Sequence, residues 1–364
     1  MTTTAQICEI IKKGTNLSIE SAKLSANNDD LDAVNLITYV YICPIIICFG
    51  IIGDLLTIAT LTHPTLRRGS IIFIYLTLLA ITDLLTQLSV IPMIFLMIGI
   101  QTCSFTTAFF YAHLAYPLVN SLMGASVWIV VFLTLSQYMA VCHPFSYKLR
   151  SRKTAIILFT LSYFLNFAIN APWAVKKSVH ELELPSSAII CKYQTCDTEL
   201  KYESWFTSYE WGREILGRVA PFFILAYFNI RILIAYRKMK ADRNKMTTSH
   251  KETATEKSEK EERRIFVLLI TIIIIFFICT MPAAPLTVLV GDKYADNLAL
   301  QIFRSVGNVL EITKFALNFY FYCLVNGEIR KRCARMFLCV TRGNSNTTKS
   351  QASTQMSQMS SSGK

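Results

Sequence analysis

Seven long apolar blocks, at about residues 36–62, 70–98, 107–141, 153–175, 209–237, 264–290 and 299–325, constrain this chain more than any other feature. Each reaches the ~20 residues that an α-helix needs to cross a bilayer, or has flanks that let it tilt. Charged residues make up 16% of the chain, against about 25% in a soluble domain. A single soluble core cannot absorb seven such blocks. The expected fold is therefore an all-α membrane protein, a bundle of seven transmembrane helices.

The formal charge of +12 raises nucleic acid as a partner, but the basic residues sit beside block ends, so no nucleic acid is expected. Arg67 and Arg68 follow block one, and Lys148, Arg150, Arg152 and Lys153 follow block three. A long basic stretch follows block five, and Arg330, Lys331, Arg332 and Arg335 follow block seven. The loop after block two has no Lys or Arg, the one after block six has Lys293 alone, and the one after block four is mixed. Loops rich in Lys and Arg stay in the cytoplasm. This predicts a multi-pass plasma-membrane protein with an external segment 1–36, a seven-helix domain 37–326 and a third cytoplasmic loop 238–263.

The first 36 residues show no apolar run behind Lys12 and Lys13, hence no cleavable signal. Asn16-Leu17-Ser18 is a glycosylation acceptor on the external side. Of eleven cysteines, Cys8, Cys103, Cys191 and Cys196 fall in external segments, where disulfides form. Three pairings are open to them. Cys103 is read as lying in an outer loop rather than at the top of a helix. Cys333 and Cys339, just past block seven, are palmitoylation candidates.

Motifs then point to a family. Block three ends Ser136-Gln137-Tyr138-Met139-Ala140-Val141-Cys142-His143-Pro144, and block two holds Leu79-Ala80-Ile81-Thr82-Asp83. Block six reads Phe276-Phe277-Ile278-Cys279-Thr280-Met281-Pro282, and block seven Asn318-Phe319-Tyr320-Phe321-Tyr322-Cys323. Together these resemble rhodopsin-like (class A) G-protein-coupled receptors, in particular the invertebrate FMRFamide-like neuropeptide kind. The resemblance covers about 37–340. It implies an extracellular peptide ligand, a heterotrimeric G protein and arrestin as partners, and no cofactor, metal or enzymatic role. It also implies an amphipathic eighth helix on the membrane lipid at 327–340 and a disordered cytoplasmic tail at 341–364. That tail carries eleven Ser/Thr in 24 residues, a field for phosphorylation and arrestin.

The departures from the family pattern are as informative. Where the family has Asp-Arg-Tyr, this chain has Ser136-Gln137-Tyr138, so the arginine that enters the G-protein cleft is a glutamine. Thr280 replaces the tryptophan before Pro282, and Asp54 replaces an asparagine in block one. The resemblance makes Gln137, Tyr138, Phe276, Thr280, Pro282 and Tyr322 the activation switch. Gln137, His143, Glu262 and Arg263 would face the G protein.

At mid-membrane the same frame gathers Asp54, Asp83, Ser126, Lys314 and Asn318. Lys314 is one turn from Asn318 on the same helix face, and charge counting places its ammonium between the two acids, where many relatives hold sodium. In the outer half, His113, Glu214, Arg218, Arg304 and Glu311 are candidate ligand contacts. Glu214 and Arg218, four apart, are also spaced to pair with each other. No acid occurs in the outer half of block three, which speaks against amine ligands.

Other functions fit less well. A retinal protein needs a lysine at position 312, which is Ile312. A transporter predicts internal repeats, and none is visible. The five histidines lie in five separate segments without metal spacing. A chemosensory receptor, or an arrestin-biased or scaffold-like seven-helix protein, remains as the alternative.

Overall fold

The computed structural model describes residues 33–62, 71–98, 103–143, 152–181, 192–246 and 298–325, with parts of 267–282 and 330–335. Five helices in it are long and apolar enough to cross a membrane. They are α1 (Ala33–Leu61), α2 (Ile71–Met97), α3 (Phe105–Cys142), α4 (Arg152–Asn170, extended by a 3₁₀ turn to Val175) and α5. Helix α5 runs without a break through Ser204–Glu214, Ile215–Val219 and Ala220–Met246. Residues 274–280 belong to α6, and α7 spans Leu298–Val325. A short hairpin, β1 (Lys177–Glu181) with β2 (Tyr193–Asp197), pairs antiparallel with Ser178 opposite Cys196. It caps one end of the bundle, called here the hairpin end.

Three helices contain a widened π turn, at Leu36–Ile42, Phe110–Ala115 and Ile215–Val219. Each ends two residues before a proline: Pro44, Pro117 and Pro221. Proline lacks the N–H for the i−4 carbonyl and its ring crowds that carbonyl, so the preceding turn loosens instead of the helix breaking.

Helix α3 is central and packs against α2, α4 and α5, while α7 lies along α1. Two buried apolar clusters hold the bundle. One joins Leu76, Leu79, Val130, Leu133, Leu225 and Phe276; the other, nearer the hairpin, joins Tyr39, Cys43, Val90, Met93, Tyr111 and Ile312. Large apolar side chains such as Ile45, Phe49, Phe164, Phe223 and Ile230 point outward instead. That is the arrangement lipid requires, with apolar groups on the outside and polar groups turned to the bundle interior. Several buried hydroxyls are satisfied within their own helices: Thr57, Thr86 and Thr134 each donate to the carbonyl four residues back.

One expectation about a helix end changes. Helix α3 begins at Phe105, with the Ser104 hydroxyl accepting from the Thr107 amide as its cap. Cys103 therefore sits at the head of the helix and not out in a loop. Cys103 and Cys196 are both disulfide-bonded, and Cys196 is buried in the hairpin. Phe105 packs edge-on against Tyr193, so the hairpin rests on the start of α3. At the opposite end α5 continues as helix to Met246, so the segment 238–263 begins as helix. Asn16, Cys8, Cys191, Cys339, Glu262 and Arg263 lie outside the described residues, and so do the Tyr322 side chain and most of 327–364.

Candidate functional site

Two polar layers occupy the bundle interior. The deeper one is built on Asp83, which α2 presents inward. Ser126 on α3 donates to its Oδ1 at 2.6 Å and Asn318 on α7 donates to its Oδ2 at 2.6 Å. Three helices are thereby tied to one carboxylate. Asp54 on α1 is equally buried and accepts a 2.6 Å hydrogen bond from Nε2 of Gln87. Gln87 is four residues after Asp83, on the same face of α2. Its amide lies where a Cβ on Gly50 would stand, 2.0 Å from Oε1, so the glycine makes room for it. Next to this layer Thr82 and the Tyr163 hydroxyl share a 2.9 Å hydrogen bond from α2 to α4.

Lys314 does not join this layer, which corrects the expectation of an ammonium between two acids. It is buried, yet makes no ion pair within 4.0 Å among the described residues. Its Nζ lies over the Phe315 ring, 4.1 Å from the centroid, and 5.5 Å from that of Phe276. The reason is the direction of helical side chains, which lean toward the helix amino terminus. In α7 that direction is the hairpin end. Asn318 leans up to Asp83, and Lys314 leans past it toward Glu311, which contributes most to its favourable electrostatic field, ahead of Asp83.

The second layer is a cavity toward the hairpin end, partly open to solvent. Its walls come from α3 (Asn120, Met123, Gly124, Val127), α4 (Asn166, Ile169, Asn170), α5 (Arg213, Glu214, Gly217, Arg218), α6 (Thr280) and α7 (Glu311, Lys314). A chain of ion pairs crosses it. Arg213 and Arg218 both donate to Glu214, one to each oxygen, and Arg218 also donates to Glu311 at 2.9 and 3.2 Å. Arg213 reaches further, to Oδ1 of Asn120 at 3.2 Å and of Asn170 at 3.4 Å. Its guanidinium lies 4.1 Å from the centroid of the Trp173 ring, which also carries Lys176 at 4.6 Å. Lys176 in turn pairs with Glu210 at 2.6 Å. The network is buried, hydrogen-bonded and spread over α3, α4, α5 and α7, as charged groups inside a membrane protein must be.

Of the outer candidates, Glu214, Arg218 and Glu311 meet in the cavity, and the Glu214–Arg218 pair forms as their spacing suggested. His113 and Arg304 are not among its lining residues. His113 Nδ1 donates to the Ala174 carbonyl at 2.6 Å and its ring packs on Phe109. Arg304 lies within electrostatic reach of Tyr39 on α1, because its position turns it to that neighbour. Sequence reasoning missed Arg213, Gln87 and the three asparagines Asn120, Asn166 and Asn170. All are polar residues at interior positions of apolar blocks, and that rarity was the signal.

Among the residues expected to form the activation switch, Phe276 is buried beneath Lys314, and Thr280 is buried with its hydroxyl unpartnered among the described residues. Pro282 falls in the turn that closes the described part of α6. Gln137 is buried near the opposite end of α3. Tyr138 packs on Phe228 of α5 and shares a 3.4 Å contact with His143. Cys333 is a buried free thiol that shares a hydrogen bond with the Cys323 thiol, so an acyl chain there requires its side chain to turn outward.

A bundle of membrane-length helices with a carboxylate-centred polar layer and a charged cavity above it is a multi-pass helical membrane protein with a polar interior. The model of the 7 transmembrane receptor (rhodopsin family) matches residues 53–326, and the chain belongs to that family. One similar protein is a probable G-protein coupled receptor of Caenorhabditis elegans, 27% identical over 312 residues, covering 84% of this chain and 70% of the relative. A second from the same organism is 28% identical over 329 residues, covering 86% and 78%. The FMRFamide receptor of Drosophila melanogaster is 26% identical over 311 residues, covering 80% of this chain and 53% of the relative. The chain is thus a multi-pass membrane receptor and not an enzyme.

Proposed function

We propose that this receptor lies in the plasma membrane with its amino terminus and hairpin end outside, and that an extracellular neuropeptide activates it. The orientation rests on the basic loops. The peptide reading is supported by the likeness to the Drosophila receptor and by the absence of an acid in the outer half of α3. The observation that carries it is the buried ion-pair chain Arg213–Glu214–Arg218–Glu311, which joins α5 to α7 across the cavity. A ligand with polar groups of its own exchanges partners with that chain. Such differential contact is what shifts the balance between receptor states, here by changing how α5 and α7 hold α6. The opposite end then opens to a heterotrimeric G protein, and the Ser/Thr-rich tail, once phosphorylated, recruits arrestin.

Gln137 favours a second reading. Without the arginine that relatives insert into the G-protein cleft, the receptor signals through arrestin alone or serves as a scaffold. The test is a neuropeptide library applied to cells displaying the full chain, read by calcium and arrestin reporters in parallel. A peptide that triggers calcium supports the first reading. Arrestin recruitment without calcium supports the second. Silence of both reporters at normal surface display, or responses to non-peptide odorants alone, overturns the peptide assignment.

A further inference from the structure

Three donor groups that have no hydrogen-bond partner among the described residues converge on the cavity. Lys314 is buried, with three N–H donors and no ion pair among the described residues. Thr280 is 1% exposed and its hydroxyl has no partner. Arg213 Nε is buried and also unpartnered. All three residues line the same space. The charges do not balance there either. Arg213, Arg218 and Lys314 face two acids, Glu214 and Glu311, and these acids are engaged by the arginines. Among the described residues one cation at the floor, Lys314, has no acid paired to it. Asp83 lies beyond it and contributes to its field, but the two form no ion pair among the described residues, and each Asp83 oxygen already accepts a hydrogen bond, from Ser126 and Asn318.

We infer that the cavity floor is an anchoring site for a ligand carboxylate, held by the Lys314 ammonium and the Thr280 hydroxyl. The inference rests on the receptor reading above and narrows its ligand. The peptide carries an acidic side chain or a free carboxyl terminus that reaches the floor, while its other groups meet the arginine–glutamate chain. A peptide with an amidated end and no acid cannot fill this site. Burying an ammonium without a direct ion-pair partner is costly in a membrane interior, and a bound carboxylate reduces that cost. This makes the contact part of the affinity and not only of the specificity.

The test has two arms on the intact receptor. In the first, the purified chain in lipid nanodiscs is titrated with sodium acetate and sodium glutarate against sodium chloride at equal ionic strength, and its unfolding temperature is followed. The carboxylates should raise it saturably in the parent and in Lys314→Arg, less in Thr280→Val, and not in Lys314→Met. Equal effects of chloride and carboxylate, or an unchanged shift in Lys314→Met, overturn the site. In the second, active peptides are compared as free acids and amides, and with Asp or Glu changed to Asn or Gln. Removing the anchoring carboxylate should weaken potency about 10–100-fold, the worth of a hydrogen bond to a charged group. Lys314→Met should abolish that difference. Full potency of acid-free amidated peptides, unchanged in Lys314→Met, sinks the anchor while leaving the peptide reading intact. A carboxylate response in the first arm with no active peptide does the reverse, and makes a small organic acid the ligand.

Discussion

Arg218 holds two acids, and removing it should orphan only one of them. In Arg218→Met, Glu214 keeps its pairing with Arg213, whereas Glu311 loses both of its hydrogen bonds, at 2.9 and 3.2 Å. Breaking a buried pair by deleting one partner costs about 3–5 kcal/mol, because the remaining charge stays in a poorly polarisable place. Lys314, beyond ion-pair distance, offsets part of that for Glu311. The second substitution separates the two acids by sign. Adding Glu311→Gln removes the orphan and should recover about 1–3 kcal/mol, the usual coupling between residues in direct contact. Adding Glu214→Gln instead strips Arg213 of its acid, leaves Glu311 unpaired as before, and should destabilise further. The assay is the unfolding temperature of purified receptor in detergent micelles, with the fraction reaching the cell surface as a second readout. The expected order from most to least stable is parent, Arg218→Met with Glu311→Gln, Arg218→Met, and Arg218→Met with Glu214→Gln. If the two double variants behave alike, the chain does not divide as its geometry says, and the reasoning fails.

Three further outcomes follow from other contacts. Gly50→Ala places a methyl on the Gln87 amide and should cost about 1–3 kcal/mol through the lost bond to Asp54. In a Gln87→Ala background that cost should largely vanish, and full additivity in the same unfolding assay would contradict the mechanism. Gly124→Ala drives a Cβ to 2.1 Å from Oδ1 of Asn166, which its own bond to the Ser162 carbonyl holds in place. Small residues let membrane helices approach closely, so surface display should fall and a second change, Asn166→Ala, should restore it. For Gln137→Arg, a gain in G-protein coupling is expected if this position alone limits it. Nucleotide exchange on the G protein is the measurement, and no change would mean other contacts have taken over the arginine's role.

What the sequence disclosed depended on whether a residue's surroundings were set by its own segment. Apolar length alone located the helices that cross the bilayer, and Pro44, Pro117 and Pro221 mark where three of them loosen. Asp83, Ser126 and Asn318 were legible because each follows a helical face within a recognised motif, and the structure bonds them. Lys314 was misplaced because spacing along a helix gives the face but not the lean of a long side chain. Its stem carries the charge up from the level of Asn318 toward Glu311. Gln87 and Arg213 were passed over for the opposite reason, since neither belongs to a motif and their importance appears only when α1 and α4 come alongside. Nothing along the chain marked the strands at Lys177–Glu181 and Tyr193–Asp197, ten short residues held by their pairing and by packing on α3. The consequence is functional as well as methodological. The departures from the family pattern do not sit in one altered element. Thr280 leaves space beside the cavity, Lys314 fills part of it with charge, and Gln87 supplies the donor that Asp54 needs. A revertant at any one of these positions therefore meets neighbours adapted to the present residue. Thr280→Trp would press its ring into the Lys314 side of the cavity, so restoring the family residue there should lower stability unless Lys314 is changed with it.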